Sequence, residues 1–88
     1  MELEANTYRT RDLPLATSLI MKGHDLRDHE IIRGKCFWVF ERSDDLLDLV
    51  DDFIEGRLEV DPTDFLQEVN RVKAAMYDAL DASRRGVV

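Results

Sequence analysis

The chain has 88 residues and a mass of 10.2 kDa, a length at which a single small domain is expected. Its 12 Lys and Arg against 19 Asp and Glu give a formal net charge of −7, which disfavours attraction to a polyanion. The longest apolar run, Cys36 to Phe40, is too short to span a bilayer, and the polar N-terminus lacks the apolar stretch of a secretory signal. Because the lone cysteine has no partner for an internal disulfide, we expect a cytoplasmic protein without membrane contact.

The first half of the chain predicts a strand, a helix and a hairpin. A short strand at residues 7–10 precedes a helix that Asp12 caps, that has Pro14 in its first turn and that Gly23 ends. Two further strands follow, at residues 24–33 and 35–41, and a tight turn at Gly34 joins them.

The second half predicts two helices. Ser43 and the two aspartates after it are typical of a helix start, and Gly56 ends this helix. Asp61 and Pro62 begin the third and longest helix, whose apolar residues recur at intervals of three and four. The element order predicts a small single α+β domain with a three-stranded antiparallel sheet over residues 7–82, a flexible N-terminal arm at 1–6 and a frayed C-terminus at 83–88.

The hairpin strands divide their side chains between two faces of the predicted sheet. Cys36, Trp38 and Phe40 share one face with His29 and Ile31. We expect the three helices to cover only one face, since helices on both would leave too little core on either. The other face then exposes an apolar patch, the predicted interface, formed by Leu26, Ile32, Phe37 and Val39. The irregular alternation of the first hairpin strand indicates a bulge and leaves open an alternative, in which the first helix or the N-terminal arm covers this patch.

Short segments between residues 7 and 78 also resemble a known family. They are Thr10-x-Asp12-Leu13-x-Leu15-Ala16, Lys22-Gly23, Phe40-Glu41-x-Ser43, Gly56, and Val60-Asp61-Pro62 with Phe65. These segments are similar to a small prokaryotic domain-of-unknown-function family, catalogue number fifty-six fifty-nine. The resemblance implies the fold and a prokaryotic or phage-borne origin, and it carries over no catalytic or binding residue. His24 and His29 depart from the family pattern, because apolar residues are expected there.

Catalytic, metal and cofactor sites are not predicted. None of the three serines lies in a nucleophile elbow, and the glycines are too far apart to form a phosphate-binding loop. His24 and His29 are five residues apart on a strand and therefore point to opposite faces, which does not suit zinc binding with Cys36. We therefore expect a protein that is not an enzyme and that needs no cofactor.

Two groups of charged residues are candidate partner surfaces. Five acidic residues share one face of the second helix: Asp44, Asp48, Asp51, Asp52 and Glu55. Carboxylates along a straight helix do not converge on a metal ion, so this face suits a solvated or partner-facing surface. Basic residues of the first half accompany an aromatic ring, as in platforms for single-stranded nucleic acid: Arg9, Arg11, Arg27, Arg33, Lys35 and Trp38. Seven acidic side chains among residues 1–42 balance the seven basic ones, which disfavours nucleic acid.

These patterns predict a non-enzymatic protein–protein interaction module, a homodimer or an accessory subunit of a larger assembly. An alternative is a small single-stranded nucleic-acid-binding or regulatory domain. A second alternative is an acidic inhibitor of phage type that mimics DNA, because residues 43–88 carry the whole net charge, with five basic and twelve acidic side chains.

Overall fold

The computed structural model describes residues 6–85, so most of the flexible arm predicted at residues 1–6 and the last three residues of the C-terminus predicted to fray at 83–88 lie outside the described residues. The elements in chain order are β1 (Thr7–Thr10), α1 (Leu13–Met21), β2 (Leu26–Ile32), β3 (Lys35–Glu41), α2 (Asp44–Ile54) and α3 (Pro62–Arg84). This order confirms the predicted small α+β domain.

Helix α3 extends further than the sequence pattern indicates. Its last residues, Ser83 and Arg84, are helical, although fraying was predicted from residue 83 onward. The carboxylate of Asp81 pairs there with two guanidinium groups, those of Arg84 at 3.4 Å and Arg85 at 2.9 Å. Basic residues in the last turn also complement the negative end of the helix dipole, which favours the two added residues.

The helices begin at the predicted caps. The carboxylate of Asp12 accepts a hydrogen bond from the backbone N–H of Leu15 at 2.9 Å, and the hydroxyl of Ser43 accepts one from Leu46 at 3.1 Å. Asp61 caps α3 in the same way. Each bond joins residues three positions apart and satisfies an N–H that lacks a partner inside the helix, so the helix starts follow from local sequence.

The three strands form an antiparallel sheet with the order β1-β3-β2, so β3 is the central strand. Beside β3, strand β2 is irregular between Leu26 and Asp28, where Arg27 is an extra residue. This bulge shifts the alternation by one position and pairs Leu26 with Phe40. The prediction that Leu26 shares a face with Phe37 and Val39 was therefore wrong, because Leu26 packs against the core on the opposite face.

The core lies between the helices and one face of β3. Cys36, Trp38 and Phe40 are buried on this face, together with residues from each helix: Leu15, Ala16 and Leu19 of α1, Leu46 and Val50 of α2, and Val72 of α3. The three helices thus cover the same face of the sheet. Val39 is also buried but lies outside this cluster, as its alternation with Trp38 and Phe40 requires.

The turn between β2 and β3 holds a residue in a strained backbone conformation. Arg33 and Gly34 both have positive φ, 54° and 78°, which is the pattern of a type I′ hairpin turn. This turn favours Asn or Gly at its first position, because other L residues are strained there.

We expect Arg33→Asn to raise the free energy of unfolding by about 0.5–1 kcal/mol, measured by urea denaturation, with Lys35→Asn outside the turn as the control. A loss of stability would show that the Arg33 side chain makes a contact worth more than the strain.

Candidate interaction surface

The sheet has a second face, turned away from the helices, that we call the open face. It carries the strand residues that alternate with the core positions, together with Arg11, whose guanidinium carbon lies 5.9 Å from the centre of the Phe37 ring. Its principal side chains are Arg9, Arg11, Asp28, Glu30, Ile32, Lys35, Phe37, Val39 and Glu41.

One row of side chains crosses the open face at Val39. In the antiparallel ladder Val39 is level with Arg9 on β1 and with Asp28 on β2. A basic, an apolar and an acidic residue therefore lie side by side across the three strands.

A second row repeats this arrangement at Phe37. Glu30 on β2 is level with Phe37, and Arg11 lies over the Phe37 ring from the β1 side. Arg11 makes a cation–π contact at this distance. The β1 edge of the open face therefore carries a basic rim, Arg9 and Arg11, and the β2 edge carries an acidic rim, Asp28 and Glu30.

An ion pair connects the two rims within the molecule. The Nε of Arg9 donates to a carboxylate oxygen of Glu30 at 2.5 Å, although β3 lies between their strands. The pair therefore passes over the central strand between Phe37 and Val39. This explains how Val39 is only 7% exposed on a face that the helices leave uncovered.

The predicted apolar patch is accordingly smaller than the sequence pattern indicates. Of its four residues, Ile32 is 45% exposed, Phe37 is half-buried, Val39 is covered, and Leu26 belongs to the core face. The surface that remains mixes apolar and charged groups, and its role as an interface stays a prediction.

The predicted nucleic-acid platform loses its stacking residue. Trp38 is 2% exposed and lies beneath the helices, so proposing it as a base-stacking residue was wrong. Two of the basic candidates are near acids: Arg9 pairs with Glu30, and Arg27 lies 3.7 Å from Glu41. The other three are exposed residues near the hairpin turn or on the open face: Arg11, Arg33 and Lys35.

Two polar atoms of the core have no partner among residues 6–85. They are Nε2 of His29 and Nε1 of Trp38, and the two residues face each other across β2 and β3. Leaving a buried polar group unpaired costs about 1–3 kcal/mol. His29 thus occupies a position better suited to an apolar residue, as its departure from the family pattern implies.

The acidic stripe of α2 lies opposite the buried side of the helix. Leu46 and Val50 face the core, and the stripe residues point outward: Asp44, Asp48, Asp51, Asp52 and Glu55. Asp52 and Glu55 both bind Arg57, each at 2.9 Å. Among the residues that the structure describes, no group of three or more His, Cys, Asp or Glu side chains is placed to hold a metal ion.

A comparison with known protein families identifies the family of this chain. The model of a family described as a domain of unknown function, DUF5659, matches residues 5–78, which is most of the chain. The chain belongs to the DUF5659 family. In this DUF5659 domain the match includes the whole sheet, α1, α2 and most of α3, so it contains both rims of the open face. No curated protein and no solved structure matches the chain. Within residues 6–85, none of the helices is both long enough and apolar enough to cross a membrane.

Proposed function

We propose that this DUF5659 domain is a non-enzymatic protein–protein interaction module that docks through the open face of its sheet. The observation that carries this proposal is the pair of rows that each place a basic, an apolar and an acidic residue side by side. An apolar centre between charged rims is the usual anatomy of a protein interface, in which complementary charges select the partner and its orientation.

The charges of the open face favour a protein over a nucleic acid. Asp28, Glu30 and Glu41 lie among the basic side chains, so a polyanion would meet like charges across the whole face. The half-buried Phe37 is the aromatic ring on the open face, and Arg11 already covers it. A surface with both signs of charge instead complements another protein surface of mixed charge.

A cytoplasmic location is part of the same proposal. Cys36 is buried, and this burial, together with the carboxylate of Asp28, raises the pKa of its thiol. The thiol therefore stays protonated and poorly reactive, and it has no partner for an internal disulfide. A free structural cysteine suits a reducing compartment.

The experiment compares wild type with Phe37→Lys, which changes the open face and leaves the helix-facing core intact. Each protein is immobilised and incubated with lysate of the source organism, and bound proteins, further copies of this chain included, are quantified by mass spectrometry. We expect Phe37→Lys to reduce capture of a specific partner about tenfold or more, as for a central interface residue.

Tyr77→Lys is the matched control, because Tyr77 is an exposed aromatic residue on α3, which packs on the other side of the sheet. The control is expected to capture the partner as wild type does. Equal capture by wild type and Phe37→Lys would contradict docking through the open face.

A further inference from the structure

We propose that the partner at the open face is a second copy of this chain, related to the first by a two-fold axis that runs along β3. This inference rests on the proposed function and adds the identity and geometry of the partner. It is carried by the opposite charges of the two rims and by the positions of these charges, which are level with the same residues of β3.

A two-fold axis parallel to β3, midway between two stacked open faces, turns the second copy over and exchanges its left and right edges. The β3 strands of the two copies then lie over each other, and β1 of each copy lies over β2 of the other. The basic rim of each copy therefore meets the acidic rim of the other, and symmetry makes this contact twice.

The register of the sheet also places the basic and the acidic side chains at the same positions along the axis. Arg9 and Asp28 are both level with Val39, so the rotation places Arg9 of one copy over Asp28 of the second copy. Glu30 is likewise level with Phe37, and Arg11, one residue beyond the last paired residue of β1, lies over the Phe37 ring. Four contacts between opposite charges result.

The apolar centre completes the interface. Phe37 and Val39 lie on the axis, and each meets the same residue of the second copy. In the single chain the Arg9–Glu30 pair covers Val39, whereas in the dimer the second copy covers it. A two-fold axis across the strands would instead place each rim over the same rim, and like charges would oppose the contact.

The expected dimer is weak. Three strands of at most seven residues form a face of about 15 by 20 Å, judged from the usual strand spacing and rise. This is small beside the roughly 800 Å² that each partner buries in a stable complex. Lys35 and Glu41 also lie on β3 near the two ends of the axis, where each faces its own copy and keeps its side chain in solvent. We therefore expect dimerisation that depends on concentration.

The test uses two charge-reversed variants of the full chain. The basic-rim variant is Arg9→Glu with Arg11→Glu, and the acidic-rim variant is Asp28→Arg with Glu30→Arg. Sedimentation velocity from low micromolar to near-millimolar protein measures the dimer fraction. We expect wild type to dimerise as concentration rises and each variant alone to stay monomeric, because each would place two rims of like charge together.

An equimolar mixture of the two variants provides the decisive measurement. In the mixed pair both rim contacts again join opposite charges, so we expect the dimer to return. Because Arg9 and Glu30 pair within one chain, Arg11→Glu and Asp28→Arg, each tested alone, form a second, milder set that keeps this pair, and circular dichroism verifies the fold of each variant. Asp48→Arg with Asp51→Arg on α2 changes the net charge as much as the acidic-rim variant and should not abolish dimerisation.

Two outcomes would overturn the inference: a wild type that is monomeric at near-millimolar concentration, and a dimer that survives reversal of either rim. In either case, Phe37-dependent capture of a different protein would leave the proposed function standing. If that capture also failed to depend on Phe37, the proposed function would fall with the inference.

Discussion

Replacing Trp38 with alanine is expected to lower the free energy of unfolding by about 3–5 kcal/mol, the usual cost of removing a buried large aromatic side chain. Trp38 is 2% exposed at the centre of the helix-facing core. A domain of this length has a total stability of roughly 4–13 kcal/mol, so the substitution is expected to remove a large share of it. Urea denaturation followed by circular dichroism measures the change.

Phe37→Ala is the control for this experiment, because Phe37 is the adjacent residue on the other face of the same strand. Its half-buried ring lies under Arg11 and outside the core, so we expect its loss to cost about 1 kcal/mol or less. Similar losses of stability for the two variants would show that the helices cover the Phe37 face of the sheet as well as the Trp38 face.

Val72→Asp is expected to destabilise the protein by about 3 kcal/mol or more, because it places an unpaired carboxylate in the apolar core. Val72 is the buried residue of α3, at 5% exposure, and Met76 and Leu80 pack against the same core. These residues form the side of α3 that packs into the core against the sheet and α1, so this contact holds the helix in place. Urea denaturation gives the stability, and amide hydrogen exchange gives the protection of α3.

Leu66→Asp makes the same chemical change on the same helix at a residue that is 63% exposed. We expect a change within about 0.5 kcal/mol, as for surface substitutions generally. If Val72→Asp were tolerated as well as Leu66→Asp, the packing of α3 on the sheet described above would be incorrect.

The arrangement of charges on the open face can be recognised only when the strand order is known. Alternation along the hairpin is enough to place Glu30 on the same face as Phe37, but it does not reveal that Arg9 and Arg11 lie on the opposite edge of that face. Alternation along the hairpin contains no information about where β1 pairs. The sequence does show that β1 carries basic and β2 acidic side chains. This difference indicates two charged edges only when β3 is known to lie between the two strands.

The sequence by itself determined the elements and their order, because the signals for helix starts and turns act over a few residues. Asp12, Ser43 and Asp61 each bond an N–H three positions ahead, and Gly34 supplies a positive φ to the hairpin turn. The tertiary structure alone decided which residues each face exposes. The bulge at Arg27 moved Leu26 to the core, and the Arg9–Glu30 pair covered Val39. Both depend on contacts between strands distant in the chain, and a local pattern of apolar residues does not specify which partners those contacts bring together.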